Sequence, residues 1–275
     1  MIRFLAARAT PGVEKVDVNG YRRTISVDGQ PGAIAVSHGD GPSALDLEIR
    51  FPDARVHPFV TSQVSRIFDL GADPATIAEC LGGDASLRAP LARHPGIRLP
   101  GAWDGFELAV RAIIGQQISV KGATTIAGRI AAMFGSPVAV AHGLNRLFPT
   151  PGQLVEAPVE GAGVIASRAR AIRGLARAVM EGHVDFSAPG DPESARAALT
   201  AISGIGDWTA SYIAMRALGD HDAFPSGDLV LRRMAGGCTA RELERRSAAW
   251  RPWRAYAVML LWQEATDARA INSTS

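Results

Sequence analysis

The stretch 199–216 contains the residues best suited to bind a phosphate. It reads as two helices joined by a tight turn, because Asp191 followed by proline is typical of a helix start and Gly204 and Gly206 interrupt the helical spacing. A Gly-x-Gly turn leaves backbone N–H groups bare at the start of the second helix, and the helix dipole adds to their attraction for an anion. By itself such a pair more often marks a plain tight loop, so its meaning depends on the residues around it.

A second candidate for chemistry is Asp228, which stands between Pro225-Ser-Gly and Leu-Val-Leu. This position predicts the N-terminus of a helix, where the ordinary role of an aspartate is to cap the helix. The same position favours the ionised carboxylate. A carboxylate held there can stabilise a developing positive charge and can take a proton from a water molecule. The capping role and the chemical role are compatible.

The pattern hydrophobic-x-Gly-Ile-Gly-x-x-Thr-Ala and the Pro-x-x-Asp segment that ends at Asp228 resemble the hairpin and the catalytic-aspartate segment of helix-hairpin-helix (HhH) DNA repair glycosylases. Further segments in the same order are similar to AlkA-type 3-methyladenine DNA glycosylase II, namely 4–9, 65–70, 96–101, 106–120, 148–151 and 250–256. The resemblance implies base excision repair: hydrolysis of the N-glycosidic bond of alkylated purines (3-methyladenine, 7-methylguanine type) in duplex DNA, with Asp228 as the catalytic residue.

The resemblance also implies which residues touch the flipped base. The pocket would contain Trp208, Tyr212 and Trp262, with Leu229 where some relatives have a tyrosine. Aromatic faces attract the cationic N3- or N7-alkylated purines, and such a base leaves without a dedicated general acid. The wedge that fills the gap in the duplex would be Gln117 or Ile118.

The hairpin would supply the remaining DNA contacts. Through its backbone and nearby groups, these residues are Gly204, Ile205, Gly206, Thr209 and Ala210. No organic cofactor is implied. Relatives hold a monovalent cation, Na⁺ or K⁺, with hairpin carbonyls, and here the resemblance assigns that role to the carbonyls of Thr200, Ile202 and Ile205.

Lysine placement separates two kinds of glycosylase. Bifunctional members form a Schiff base through a lysine, which the resemblance places in the hairpin, two residues after the second glycine. Here that residue is Trp208, and the two lysines of the chain, Lys15 and Lys121, lie outside the hairpin. We therefore predict a monofunctional enzyme without β-lyase activity.

Composition limits the class of protein. The 275 residues, 47% hydrophobic, predict a globular chain of two domains. No apolar run approaches the roughly 20 residues that cross a bilayer. Two cysteines favour a reducing compartment and exclude a four-cysteine iron–sulfur cluster. We expect a monomer in the cytoplasm, associated with the nucleoid when bound to damaged duplex DNA, and no membrane partner.

The net charge is only +2, but the arginines are unevenly distributed. One group lies in 168–177 and a second in 232–254, on either side of the hairpin along the chain. Each group alone would suit a solvated helix surface. Together, flanking a candidate phosphate site, they favour a face that binds nucleic acid.

The order of elements predicts the fold class. Alternation of apolar and polar residues over 21–27, 33–37 and 44–50, with Asp-Gly at 28–29, predicts an antiparallel meander. Helices at 60–70 and 74–81 follow, and the Pro- and Gly-rich segment 96–101 marks a domain junction. We predict an α+β N-terminal domain over 1–98, TATA-binding-protein-like by the resemblance, followed by an all-α HhH glycosylase domain over 99–275.

The start of the chain departs from the family pattern. AlkA-type proteins carry a strand with a Tyr-Asp-Trp motif before the helix at 4–9, and that strand is missing here. We expect either a misassigned start or a chain cut from a longer one, such as a fusion to an alkyltransferase-like domain, with an unpaired sheet edge or open groove as the result. Two other functions stay open: an HhH glycosylase for deaminated or oxidised purines, and a non-catalytic damaged-DNA-binding module.

Overall fold

The computed structural model describes residues 1–41, 44–139, 143–187 and 190–272. Within these ranges the strands form one antiparallel sheet in the order β1-β2-β3-β4, with the bounds Glu14–Asp17, Gly20–Val27, Gln30–His38 and Leu45–Arg50. Asp28 and Gly29 both have positive φ between β2 and β3, as a two-residue hairpin turn requires. The short first strand, β1, was not predicted, because its four residues carry too little alternation.

Helix α1 (Ile2–Ala6) and helix α2 (His57–Phe68) cover the apolar face of this sheet. The core between them contains Tyr21, Ile25 and Ile34 from the strands and Val60 and Ile67 from α2. The alternating residues of β2 and β3 therefore turn one face toward the helices, as the period of two predicts.

Helices α3 (Pro74–Gly82) and α4 (Ala85–Arg93) are not part of the core between the sheet, α1 and α2. They belong to a second core with the last helices of the chain, where Ile77 and Leu87 meet Trp250 and Leu260. Helix α4 was not predicted, since Pro90 lies inside it. Because the two parts of the chain share this core, the domain boundary at residue 98 stays a prediction.

The remaining chain is helical apart from short turns. The helices are α5 Gly105–Ile114, α6 Val120–Phe134, α7 Pro151–Leu154, α8 Ala166–Met180, α9 Pro192–Thr200, α10 Asp207–Ile213, α11 Leu229–Met234, α12 Ala240–Ser247 and α13 Arg254–Asn272. Short 3₁₀ turns cover Ala54–Val56, Val159–Ala162 and Ala248–Trp250, and α10 continues into a π-helical turn, Ala214–Leu218.

A third core joins α5, α6, α8, α9 and α10, with Ile113, Ile130, Ile172 and Ile213 fully buried in it. The predicted fold class, an α+β part followed by an all-α part, is confirmed. In the described ranges, no helix has the combination of length and apolar character that a membrane span requires.

Candidate active site

A cavity of about 660 Å³ lies where α1 and the sheet meet the helical part of the chain. Phe4 of α1 and Arg8, in the turn after it, line the cavity on one side, and Asp228 and Trp262 line it on the other. Its volume falls in the range of small-ligand sites, roughly 300–1,000 Å³. The cavity therefore brings the predicted catalytic aspartate together with residues from both ends of the chain.

Asp228 is 9% exposed, and its side chain accepts hydrogen bonds from four donors. As the N-cap of α11, its Oδ1 accepts the amides of Val230 at 2.9 Å and Leu231 at 2.8 Å. The indole Nε1 of Trp208 donates to Oδ2 at 2.8 Å, and that of Trp262 donates to Oδ1 at 3.4 Å. The capping geometry predicted for this residue is present, and the indole bonds were not foreseen.

The three predicted pocket aromatics lie side by side. The Trp208 ring is stacked on Tyr212, with centroids 5.5 Å apart and planes 9° apart, and Tyr212 meets Trp262 at 6.1 Å and 44°. All three line the cavity. A base inserted between two parallel rings needs about 7 Å, twice the van der Waals spacing. A base can therefore stack against this group but cannot enter between Trp208 and Tyr212.

Leu229 does not join these residues. Its side chain is 75% exposed, whereas the next residue, Val230, lines the cavity. Successive side chains of a helix diverge by about 100°, so the turn that lets Asp228 cap α11 directs Leu229 outward. The structure brings Val230, rather than Leu229, to the cavity wall.

A buried ionic network forms the floor of the cavity on the side of the sheet. The Arg23 guanidinium donates to Glu107 at 2.8 Å, and Arg111 donates to Glu14 at 2.9 Å and to Glu107 at 3.0 Å. Burial opposes ionisation of Glu14, but the two guanidiniums, with hydrogen bonds from the Tyr21 hydroxyl and the Thr10 amide, outweigh it and lower its pKa. Burial raises the pKa of Glu107 despite the same partners. The network ties β1 and β2 to α5.

Arg216, in the π-helical turn, carries a further buried guanidinium. It donates to the Tyr212 hydroxyl at 3.0 Å and to the carbonyls of Pro100 and Gly101. In the described part of the chain it has no carboxylate partner. Burial opposes ionisation of Tyr212, but Arg216 and two further arginines outweigh burial and lower the pKa of the phenol.

In the hairpin between α9 and α10, some backbone amides have a hydrogen-bond acceptor and others have none. No described residue accepts a hydrogen bond from the amides of Gly204, Gly206 or Thr209. Ile205, by contrast, donates its amide to the Ile202 carbonyl at 3.0 Å, and Ala210 donates to the Gly206 carbonyl at 2.9 Å. Of the five predicted hairpin contacts, only Gly204, Gly206 and Thr209 therefore have an amide free to hold a phosphate.

The loop predicted to contain the wedge is attached to this hairpin. Gln117 is exposed at a φ of 58°, and Ile118 is 37% exposed and lines the cavity. Gln116, which precedes them, donates its side-chain amide to the Gly204 carbonyl and to the Thr209 hydroxyl, both at 3.0 Å. The loop is thus held against the turn that carries the free amides.

Neither lysine reaches the site. Lys15 lies beside Asp17 at 3.7 Å with an exposed side chain, and neither Lys15 nor Lys121 lines the cavity. Among the described residues, no group of three or more His, Cys, Asp or Glu side chains is arranged to hold a metal ion. The predicted cation ligands are backbone oxygens: Thr200 ends α9, where carbonyls lack helical partners, while the Ile202 carbonyl already accepts one amide.

Ion pairs with carboxylates neutralise part of the positive charge of the two arginine groups. Arg173 and Arg177 are paired with Glu160 and Glu156 at 3.0 and 2.8 Å. Arg168, in the first turn of α8, has no hydrogen bond or ion pair with any residue that the structure describes. The hairpin lies against this part of α8, since a Cβ on Gly204 would approach Ser167 and Ala171. The available charge of Arg168 therefore lies near the hairpin.

In the second arginine group, Arg246 is paired with Asp84, and Arg251 and Arg254 are paired with Asp222. Arg233, by contrast, is exposed and has no ion pair with a described residue. Only part of the formal charge of this group is thus available to a nucleic acid.

The sequence analysis did not single out Gln116, Arg111 or Arg216. A signal existed for Arg111, because Glu107 and Arg111 are four residues apart on an otherwise apolar helix, and such a charged pair can only be buried together. Gln116 and Arg216 gave no local signal, since their partners are 88 or more residues away for Gln116 and up to 116 residues away for Arg216.

Comparison with known proteins agrees with this arrangement. Residues 1–104 match a family model described as the AlkA N-terminal domain, and residues 110–252 match one described as the HhH-GPD superfamily base excision DNA repair protein. The solved 3-methyladenine DNA glycosylase from Archaeoglobus fulgidus is similar with a TM-score of 0.81 and 25% identity, over 94% of this chain and 91% of that one.

Two curated proteins are similar over almost the whole chain. The probable bifunctional transcriptional activator/DNA repair enzyme AlkA of Mycobacterium tuberculosis is 41% identical over 263 residues, 94% of this chain and 53% of that protein. The chain thus spans about half the length of that relative. The DNA-3-methyladenine glycosylase 2 of Escherichia coli is 34% identical over 270 residues, 95% of this chain and 92% of that protein.

Proposed function

The chain belongs to the HhH-GPD superfamily of base excision DNA repair proteins, and we propose that it is a monofunctional DNA glycosylase that removes alkylated purines from duplex DNA. The damaged nucleotide rotates out of the duplex and its base enters the cavity. The C1′–N bond breaks, and its electron pair leaves with the base. An N3- or N7-alkylated purine carries a positive charge beforehand, so it departs as a neutral molecule.

Asp228 acts on the sugar side of that bond. Its carboxylate stabilises the positive charge that develops at C1′ and takes a proton from the water that attacks C1′. The products are the free base and an abasic site. The observation that carries this proposal is the carboxylate of Asp228, a buried residue, held by four donors in a cavity walled by Trp208, Tyr212 and Trp262.

The hairpin is the proposed grip on the DNA backbone. Its free amides at Gly204, Gly206 and Thr209 are suited to a phosphate, since an anion satisfies donors that nothing else in the described chain occupies. A Na⁺ or K⁺ held by the carbonyls of Thr200 and Ile202, with that of Ile205, would add positive charge beside them. Binding of this kind weakens as the salt concentration rises.

The test is base release from N-methylated duplex DNA, with alkali added to half of each reaction. We expect wild type to release 3-methyladenine and to break strands only after alkali. Asp228→Asn should lose release while keeping DNA binding, because asparagine also caps helices well. Asp191→Asn is the matched control, since Asp191 caps α9 in the same manner outside the cavity. Strand cleavage without alkali would overturn the monofunctional assignment, and binding without release would favour a damage-binding module.

A second candidate, a glycosylase for neutral purines such as deaminated bases, is favoured by the buried guanidinium of Arg216. Its central carbon lies 4.7 Å from the Phe4 ring centroid and 5.7 Å from that of Tyr212, so a positive charge already faces rings that would attract a cationic base. A neutral purine leaves with developing negative charge, which a guanidinium stabilises. If this candidate holds, Arg216→Met slows release of hypoxanthine more than release of 7-methylguanine, whereas equal losses would argue against it.

A further inference from the structure

The two oxygens of Asp228 are held in different ways. Oδ1 accepts two backbone amides of its own helix and the longer, 3.4 Å bond from Trp262. Oδ2 accepts one donor, the indole N–H of Trp208, at 2.8 Å. A carboxylate has about four lone-pair sites, so the remaining site on Oδ2 is the one available to the sugar or the attacking water. The orientation of that lone pair depends on Trp208.

Trp208 is itself held in place by neighbouring side chains. Its ring is stacked on Tyr212 at a plane angle of 9°, and the Tyr212 hydroxyl accepts a hydrogen bond from Arg216 at 3.0 Å. Arg216 is anchored in turn by the carbonyls of Pro100 and Gly101. The contacts thus run without interruption from the buried guanidinium to Oδ2.

We propose that Trp208 is a positioning residue, whose indole N–H orients Oδ2 of Asp228 for the hydrolytic step, in addition to its ring forming part of the cavity wall. This inference rests on the proposed glycosylase function. In the step itself, a lone pair of the water oxygen bonds to C1′ as the C1′–N electron pair leaves with the base, and Oδ2 accepts the proton of that water. The N–H of Trp208 is not consumed, because it donates to the other lone pair of Oδ2.

Trp208→Phe tests the hydrogen bond apart from the aromatic contact, because phenylalanine keeps an aromatic face but has no N–H donor. We expect single-turnover base release to fall about 10- to 100-fold, the usual effect of removing a hydrogen bond to a charged group, while the Kd for damaged DNA stays within about twofold. Trp250→Phe is the matched control. It removes an indole donor, 3.1 Å from Asp84 Oδ2, that lies outside the cavity, so we expect base release to stay within about twofold of wild type.

A double-mutant cycle decides whether Trp208 acts through Asp228. In an Asp228→Asn background, Trp208→Phe should cause no further loss of single-turnover rate. If Trp208→Phe lowers the single-turnover rate by the same factor in wild type and in Asp228→Asn, the proposal is overturned. A residue that only forms the cavity wall would lower both rates equally. If Trp208→Phe does not fold, Tyr212→Phe, which removes the hydroxyl contact to Arg216, provides the second cycle with the same two outcomes and a smaller expected loss.

A measurement without turnover tests the hydrogen bond independently of the proposed function. The indole N–H proton resonance of Trp208, assigned by its disappearance in Trp208→Phe, should move upfield in Asp228→Asn, because an amide is a weaker acceptor than a carboxylate. The indole resonance of Trp253 should not move. An unchanged Trp208 resonance would overturn the inference whether or not wild type releases bases, whereas absent base release with a shifted resonance would overturn the proposed function alone.

Discussion

Gly204 and Gly206 occupy one turn, but an added methyl group would meet different surroundings at each. Gly204 has a φ of 94°, and a Cβ there would lie 2.9 Å from the Ala171 Cβ. Gly206 has a φ of −92°, and a Cβ there would meet no atom within 4 Å. Gly204→Ala therefore changes the fold of the hairpin, whereas Gly206→Ala changes only the surface that we expect to face a phosphate.

The free energies of unfolding should differ accordingly. For Gly204→Ala we expect a loss of about 1–3 kcal/mol, the usual cost of a strained backbone position, which corresponds to a Tm lower by roughly 2–12 °C. For Gly206→Ala, glycine is the better N-cap, but alanine reduces the entropy of the unfolded chain. The two effects are each about 0.5–1 kcal/mol and opposite in sign, so we expect an unchanged Tm.

For DNA binding we expect the opposite pattern, with the specific effect at Gly206. The methyl group of Gly206→Ala stands beside the free amides of the hairpin, so we expect loss of one hydrogen bond to a phosphate, about 1.5–3 kcal/mol, and a Kd roughly 10- to 150-fold higher. Thermal unfolding and fluorescence anisotropy with a labelled undamaged duplex measure the two quantities. Wild-type affinity in Gly206→Ala, or an equal loss of Tm in both variants, would refute this account of the hairpin.

Three further outcomes are expected. Arg168→Ala should reduce the slope of log K against log salt by about 0.9, the value for one phosphate contact, whereas Arg177→Ala should leave it unchanged. Glu107→Ala should cost about 3–5 kcal/mol in denaturant unfolding, because it leaves two buried guanidiniums, those of Arg23 and Arg111, to share the single carboxylate of Glu14; removal of the exposed pair in Arg177→Ala should cost about 0–1 kcal/mol. The hydrogen bond from Arg246 lowers the pKa of Asp84, so its contribution to stability is complete above the ordinary pKa of about 3.9 and is lost as the pH falls further; Asp84→Asn should flatten the acid limb of the stability profile.

Each of these outcomes has a clear contrary result. Equal salt slopes for Arg168→Ala and Arg177→Ala would remove the first turn of α8 from the DNA face. A loss near 1 kcal/mol for Glu107→Ala would mean that water reaches the ionic network. An acid limb as steep in Asp84→Asn as in wild type would assign the acid sensitivity to other carboxylates.

Much of the fold follows from local patterns. Alternation predicted the meander, and the helices predicted over 60–70 and 74–81 agree with α2 and α3 to within a few residues. These features depend on contacts within about four residues along the chain, which a sequence displays directly. The misses are local conflicts: α4 contains Pro90, and β1 is too short to show a period.

The packing of α3 and α4 was decided at longer range. Their apolar faces would suit the sheet as well as the last helices, and only the assembled structure places Ile77 and Leu87 against Trp250. The ion pairs of the arginines were also decided at longer range. The sequence shows a row of arginines in α8, but it does not show that Arg173 and Arg177 are neutralised by acids from an earlier loop.

At the candidate site, the features that follow from local sequence are clearly distinct from those that follow from tertiary packing. Local spacing was enough to predict that Asp228 caps a helix and that the hairpin turn is built on glycine, since each depends on neighbours within one helical turn. Tertiary structure decided that indoles 20 and 34 residues from Asp228 donate to its carboxylate. It also decided which hairpin amides stay free, because a distance between remote residues is set by the packing of whole helices and not by their spacing along the chain.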